Sequence, residues 1–287
     1  MKKVAMITAG LLSLGCLGAG EIPPVSMDAS VRFSTEHVFR GRKQGAKVFV
    51  PNVELGVPLF DKGRVYVGCS AALGVDNKTF PGGTPTTRNE FGPYVGVSYD
   101  ITDMFSLDAG YIHRFYSNDP KEVSAVTDDG QMIHMPFYLK GESNELYVGV
   151  MADVLLSPSV YFFYNFDCKE AAIEGRVAYT YDLGQFGISN TAIELGAQLG
   201  YDHTERPFAA KKETAKAFWG NDASNKKNYL YYGAKADLVY SFNEHAKARA
   251  GVEFAGNSAK KKSVLNFYSD LKHRSFVWFN ASVDCSF

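Results

Sequence analysis

The chain has 287 residues, with 30 Lys and Arg against 31 Asp and Glu, a net charge of −1, and 46% hydrophobic residues. That balance excludes a general nucleic-acid binder, which carries a clear basic excess. The cysteines Cys16, Cys69, Cys168 and Cys285 lie far apart, which gives no disulfide framework. With the histidines they show no metal-ligand spacing, so neither metal nor cofactor is expected.

Residues 1–20, MKKVAMITAGLLSLGCLGAG, place Lys2 and Lys3 before an apolar run and then small residues. This is the layout of a secretory signal peptide, with cleavage expected before Glu21. The run is too short for a membrane anchor, which needs about 20 apolar residues. A lipoprotein acylated on Cys16 is the alternative, weakened by Ser13 standing where a leucine is expected. Residues 21–287 then read as one domain.

From there on, no stretch approaches a transmembrane helix. Alternating segments of about ten residues recur instead, as in an antiparallel membrane β-barrel. Twelve are legible. The first, 25–39, sets Val25, Met27, Ala29, Val31 and Phe33 on one face and Arg32 and Glu36 on the other, with Arg40 continuing the polar phase. Segments 49–59 and 64–74 give Leu55 and Val67 on the apolar face and Glu54 and Arg64 opposite. Segments 90–100 and 104–116 give Val95 and Leu107 outward, against Glu90, Asp108 and Arg114. Next come 145–154, with Glu145 and Asp153 on the polar face, then 160–167, and then 172–182 with Glu174 and Arg176. Segment 189–203 carries Leu195, and 228–240 sets Leu238 against Lys235 and Asp237. Segment 246–256 supplies Lys247, Arg249 and Glu253, and 276–287 ends on Phe279, Ala281, Val283, Cys285 and Phe287.

The connections alternate in length. Residues 61–63, 101–103, 155–158, 184–187 and 242–245 are short turns, whereas 40–48, 75–89, 117–144, 168–171, 204–227 and 257–274 lie at the other end, four of them long and polar. Outer-membrane barrels sort their connections this way, with short turns in the periplasm and long loops outside. The apolar face (Leu55, Val67, Val95, Leu107, Leu195, Leu238, Phe279, Val283, Phe287) is therefore expected to meet lipid. The charged face is expected to line a lumen, either as a pore or as a filled barrel of paired charges. Tyr99, Tyr111, Tyr181, Tyr201, Tyr232 and Tyr240 fall near strand ends on the apolar face, as an interfacial girdle requires.

SVRFSTEHVFRG (30–41), MFSLDAGYIHRFYSNDP (104–120) and NELYVGVMADVLLSPSVYFFYNFDCKEAAIEGRVAYTYDL (144–183) resemble the TorF-like porins, a family of outer-membrane barrel proteins. The resemblance implies an outer-membrane barrel with a pore and brings no catalytic motif.

Among the loops, Lys211, Lys212, Lys216, Lys226 and Lys227, and Lys260 to Lys262, form basic clusters suited to solvent or to the anionic groups of lipopolysaccharide. His134 and His203 read as loop residues beside acids, too isolated for a metal site. A lipid-facing His273-Arg274-Ser275 resembles an outer-membrane phospholipase, but Phe276-Val277 follows where that family has Asn-Gly, and no orienting group is near. No enzymatic activity is expected. The closing strand, with Phe287 last, resembles the signal read by the barrel-assembly machinery.

Overall fold

The computed structural model describes residues 25–75, 89–117, 122–126, 132–136, 142–167, 169–204, 228–258 and 275–287. The strands are β1 (Ser26–Phe39), β2 (Arg42–Leu59), β3 (Gly63–Gly74), β4 (Asn89–Thr102), β5 (Phe105–Ser117), β6 (Glu122–Val126) and β7 (Met132–Pro136). They continue with β8 (Glu142–Ala152), β9 (Ser159–Asn165), β10 (Glu170–Asp182), β11 (Thr191–Thr204), β12 (Asn228–Ser241), β13 (Ala246–Asn257) and β14 (Ser275–Ser286). Twelve of them close into a barrel in the order β1-β14-β13-β12-β11-β10-β9-β8-β5-β4-β3-β2, and all neighbours are antiparallel. Closure gives each of the twelve strands a hydrogen-bonded neighbour on both sides, which an isolated sheet in hydrocarbon cannot achieve.

The closing seam explains the apolar pattern of the final strand. β14 runs against β1 from Asp28↔Ser286 to Ser34↔Asn280, and Phe287 exchanges two backbone hydrogen bonds with Met27, each 2.9 Å. Along β14, Val277, Phe279 and Val283 are exposed, while Phe276, Trp278 and Asn280 are buried inside. The same alternation holds round the barrel: Val95, Leu107, Leu195, Leu238 and Phe287 are exposed, and Leu55 and Val67 are half-buried in the same phase. Strand period fixes this, because successive side chains leave a strand on opposite faces.

Three expectations are corrected. The connection expected over 40–48 is a two-residue turn, Arg40-Gly41, because β1 and β2 extend to meet it. His203 lies within β11 and His134 within β7, so neither is a loop residue. Asp153 sits beyond the end of β8, exposed in the turn, because pairing with β9 stops at Met151↔Ser159. Between β5 and β8, the hairpin β6–β7 forms a separate two-stranded sheet that the alternation did not reveal. The lysine clusters, His273 and residues 1–20 with Cys16 lie outside the described residues.

Candidate functional site: the barrel lumen

Most of the acids and bases assigned to the polar face find an oppositely charged or hydrogen-bonding partner among the described residues. Several partners are on strands that are not neighbours, which is possible only across the interior. Arg32 on β1 pairs with Glu253 on β13, which also accepts a bond from Asn280 at 3.2 Å. Arg64 on β3 meets Glu54 at 2.7 Å and Asp28 on β1 at 3.6 Å. Arg249 bridges Asp284 at 2.6 Å and Glu194 at 3.3 Å. Arg176 holds Glu174, and Lys235 lies 3.7 Å from Asp237.

At the long-loop end the interior is filled. Above Ser34 and Lys47 the β1–β2 hairpin leaves the wall and bends inward, and Arg40, Gly41 and Arg42 are all buried. Gly41 has φ +69, and a Cβ there would stand 2.5 Å from the Gly256 carbonyl oxygen and 2.8 Å from the Tyr231 Cβ. A side chain at this position is therefore excluded twice, by backbone conformation and by space. Asn257 secures the tip by donating to the Gly41 carbonyl at 2.6 Å.

From this tip two guanidinium groups reach the opposite wall. Arg40 meets Glu170 on β10 at 2.9 Å and Glu145 on β8 at 3.0 Å, with its guanidinium 4.6 Å from the ring centre of Phe163 on β9. Arg42 meets Glu170 at 2.9 Å and Asp202 on β11 at 3.7 Å. Glu145 in turn takes Arg114 at 3.1 Å, and Arg114 takes Glu90 at 3.0 Å. Tyr229 donates to Asp202 at 3.0 Å. The layer is dry: the side chains of Arg40 and Asp202 are 4% and 0% exposed. Charges this deep persist only when paired, as these are.

The short-turn half differs in chemistry. A cavity of ≈ 450 Å³ is lined by Tyr66, Tyr94, Tyr147, Tyr161, Phe163, Glu54, Asp108, Arg64 and Arg176, among others. Asp108 accepts hydrogen bonds from Tyr66 at 2.5 Å and Tyr161 at 3.1 Å, and the Tyr66 and Tyr147 hydroxyls lie 2.6 Å apart. Tyr94 donates to Glu54 at 3.0 Å. Each of these tyrosines faces a glycine on the adjacent strand: Tyr66↔Gly96, Tyr94↔Gly68, Tyr147↔Gly110 and Tyr161↔Gly149. Tyr231↔Gly200 repeats the pairing on β12 and β11. The rings lie over the glycines, where a Cβ would come within 2.1–2.5 Å of a ring carbon. The missing side chain makes room for a flat ring against the wall, the cross-strand arrangement that shelters glycine in a sheet.

Two groups were thus missed by sequence reasoning. Arg42 and Glu170 fell in segments assigned to connections. The inward tyrosines were overshadowed by the outward ones, of which Tyr99, Tyr201, Tyr232 and Tyr240 are exposed. Ser275 opens β14, exposed.

The geometry defines a class: a closed twelve-stranded antiparallel barrel with an apolar exterior and an ionic, tyrosine-lined lumen. No family model and no curated protein matches the chain. Among solved structures, the COG4313 outer membrane channel from Pseudomonas putida F1 matches with a TM-score of 0.51 at 8% identity, over 94% of this chain and 100% of that one. The NanC porin matches with a TM-score of 0.49 at 11% identity, over 90% of this chain and 98% of that one. The KdgM porin matches with a TM-score of 0.45 at 12% identity, over 91% and 99%. The likeness to the first is one of fold.

Proposed function

We propose that the chain is an outer-membrane barrel whose lumen passes small hydrophilic solutes passively. Export removes residues 1–20, the short turns face the periplasm, and the long loops face outward towards lipopolysaccharide. The observation that carries this reading is the wetness of the short-turn half. Arg176 and Lys235 belong to the inward phase, yet their side chains are 49% and 45% exposed. Such groups are hydrated within the barrel, and a hydrated lumen of both charge signs suits polar solutes. Twelve strands also lie between the eight that side chains fill and the sixteen or more of a wide porin. A plugged structural barrel is the second reading, favoured by the dry layer around Arg40. The mechanism assigns no nucleophile, base or cofactor, and the solute crosses unmodified.

Planar-bilayer recording of the refolded protein tests the passage. Discrete conductance steps are expected, and their absence from a folded barrel leaves the plugged reading. The lipid-facing assignment is tested by Val95→Arg, on the exposed face in mid-β4. It is expected to weaken membrane folding by about 2–4 kcal/mol, the range for a cation at the bilayer midplane. Ser98→Arg, in the lumen phase, is expected to fold. Equal tolerance of both would mean that the faces are inverted. In the same reading, exposed Phe287 on the closing strand is the aromatic presented to the barrel-assembly machinery.

A further inference from the structure

We infer that the inward β1–β2 arm, residues 36–46, sets what crosses the lumen: it is a charged stopper that withdraws when Arg40 and Arg42 lose their hold on the far wall. This rests on the passage reading above. The described pairing sets the arm off from the wall. Below it, β1 is bonded to β14 up to Ser34↔Asn280 and β2 to β3 up to Val48↔Gly74. Above those pairs Val75 still donates to the Lys47 carbonyl at 2.8 Å, and from Glu36↔Ala46 to the tip the described ladder joins the two strands of the arm to each other.

The arm has two irregularities, both on β2. The register slips where His37↔Gly45 gives way to Val38↔Lys43, leaving Gln44 as the extra residue, and Lys47, three residues nearer the base, has φ 50, a left-handed conformation that a side chain disfavours. Bulges bend strands, and two irregularities within four residues of β2 turn the hairpin off the wall.

Among the described residues the hold on the tip is mainly ionic, with the Asn257 bond to Gly41 beside it. The apolar part is Val38 against a small cluster of Ala255, Phe276 and Trp278. A permanent stopper would be served as well or better by apolar side chains, since replacing a buried ion pair by well-packed hydrophobes is often neutral or stabilising. A charged stopper has a property that an apolar one lacks. When it withdraws, the arginines and the carboxylates of Glu145, Glu170 and Asp202 are taken up by water, so neither state strands a bare charge. Two states that both satisfy their charges are what a gate requires, and the cavity continues the path beneath it.

The test compares single-channel conductance of wild type, Arg40→Ala/Arg42→Ala and Arg40→Lys/Arg42→Lys in planar bilayers. Barrel closure of each is verified by heat-dependent gel mobility. The alanine variant is expected to show a step several-fold larger than wild type, and the lysine variant, which keeps both cations, to stay near it. A second variant, with a new tight turn joining Glu36 directly to Ala46, is expected to reproduce the larger step without touching the far wall. Equal, non-zero steps in all proteins would overturn the arm's role while leaving passage intact. Silence in all of them would overturn both. A silent wild type beside conducting alanine and shortened variants supports the arm and confines passage to its withdrawn state.

Discussion

The two levels of the lumen use the same residue types to different ends. Around the arm tip, Arg40, Arg42, Glu145, Glu170 and Asp202 are sealed from water, and each answers to more than one partner or lies in a shared layer. In the short-turn half, Arg64, Arg176 and Arg249 pair with carboxylates just as closely, yet keep substantial exposure. Distance alone therefore does not rank an ion pair. What ranks it is whether water can take over when a partner is lost, because desolvation dominates the energy of a buried charge.

The largest expected effect follows at Glu145, which is shared by Arg40 and Arg114. Glu145→Ala leaves both guanidinium groups short of a carboxylate in a dry layer. Loss of one partner in such a site costs about 3–5 kcal/mol, measurable by urea unfolding in detergent micelles. A much smaller loss accompanied by higher conductance would mean that the arm swings out and the charges hydrate. A small loss without added conductance would make the two levels alike and erase the contrast.

The tyrosine level should respond to shape rather than charge. A methyl group at Gly96 would fall 2.3 Å from the Tyr66 ring, so Gly96→Ala must push the ring off the wall and away from Asp108 and Tyr147. Overpacking of this kind costs about 1–3 kcal/mol. Gly175→Ala is the matched control, since nothing lies nearer than 3.9 Å to the added methyl group. If the two substitutions cost the same in the unfolding assay, the rings are not seated on the glycines.

Most of the barrel was legible because a strand with one apolar face declares both its extent and its phase. The predicted segment 228–240 and β12 (Asn228–Ser241) differ by one residue. The inward phase of charges within the wall strands, such as Glu54 and Arg64, followed from alternation. What alternation does not carry is register between strands. Tyr66 stands visibly between Val65 and Val67 in the inward phase, but nothing local says that Gly96 lies opposite. The arm was hidden for a related reason. The slip at His37/Val38 and the reversed φ at Lys47 break the period where β1 and β2 leave the wall, so 40–48 reads as a loop and Arg42 with it. Glu170 was lost because it begins β10 directly after a short connection. Its link to Arg42 spans 128 positions and exists only because the barrel closes.

The smallest effect belongs to the rim at the short-turn end, where the contrast between levels is sharpest for an equally close pair. Arg249 sits 2.6 Å from Asp284, nearer than Arg40 to any of its acids, and both side chains of the pair are about a quarter exposed. Asp284→Asn removes the charge and keeps the shape, and Arg249 retains Glu194 at 3.3 Å. Water reaches the site, so the guanidinium is never stranded, and the change in unfolding free energy should stay under about 1 kcal/mol. Raising the salt concentration should shrink it further, because exposed charges are screened and buried ones much less so. A loss approaching that of Glu145→Ala, and insensitive to salt, would show that the short-turn half is as dry as the arm layer. In that case the wet path beneath the arm, on which passage depends, would not exist.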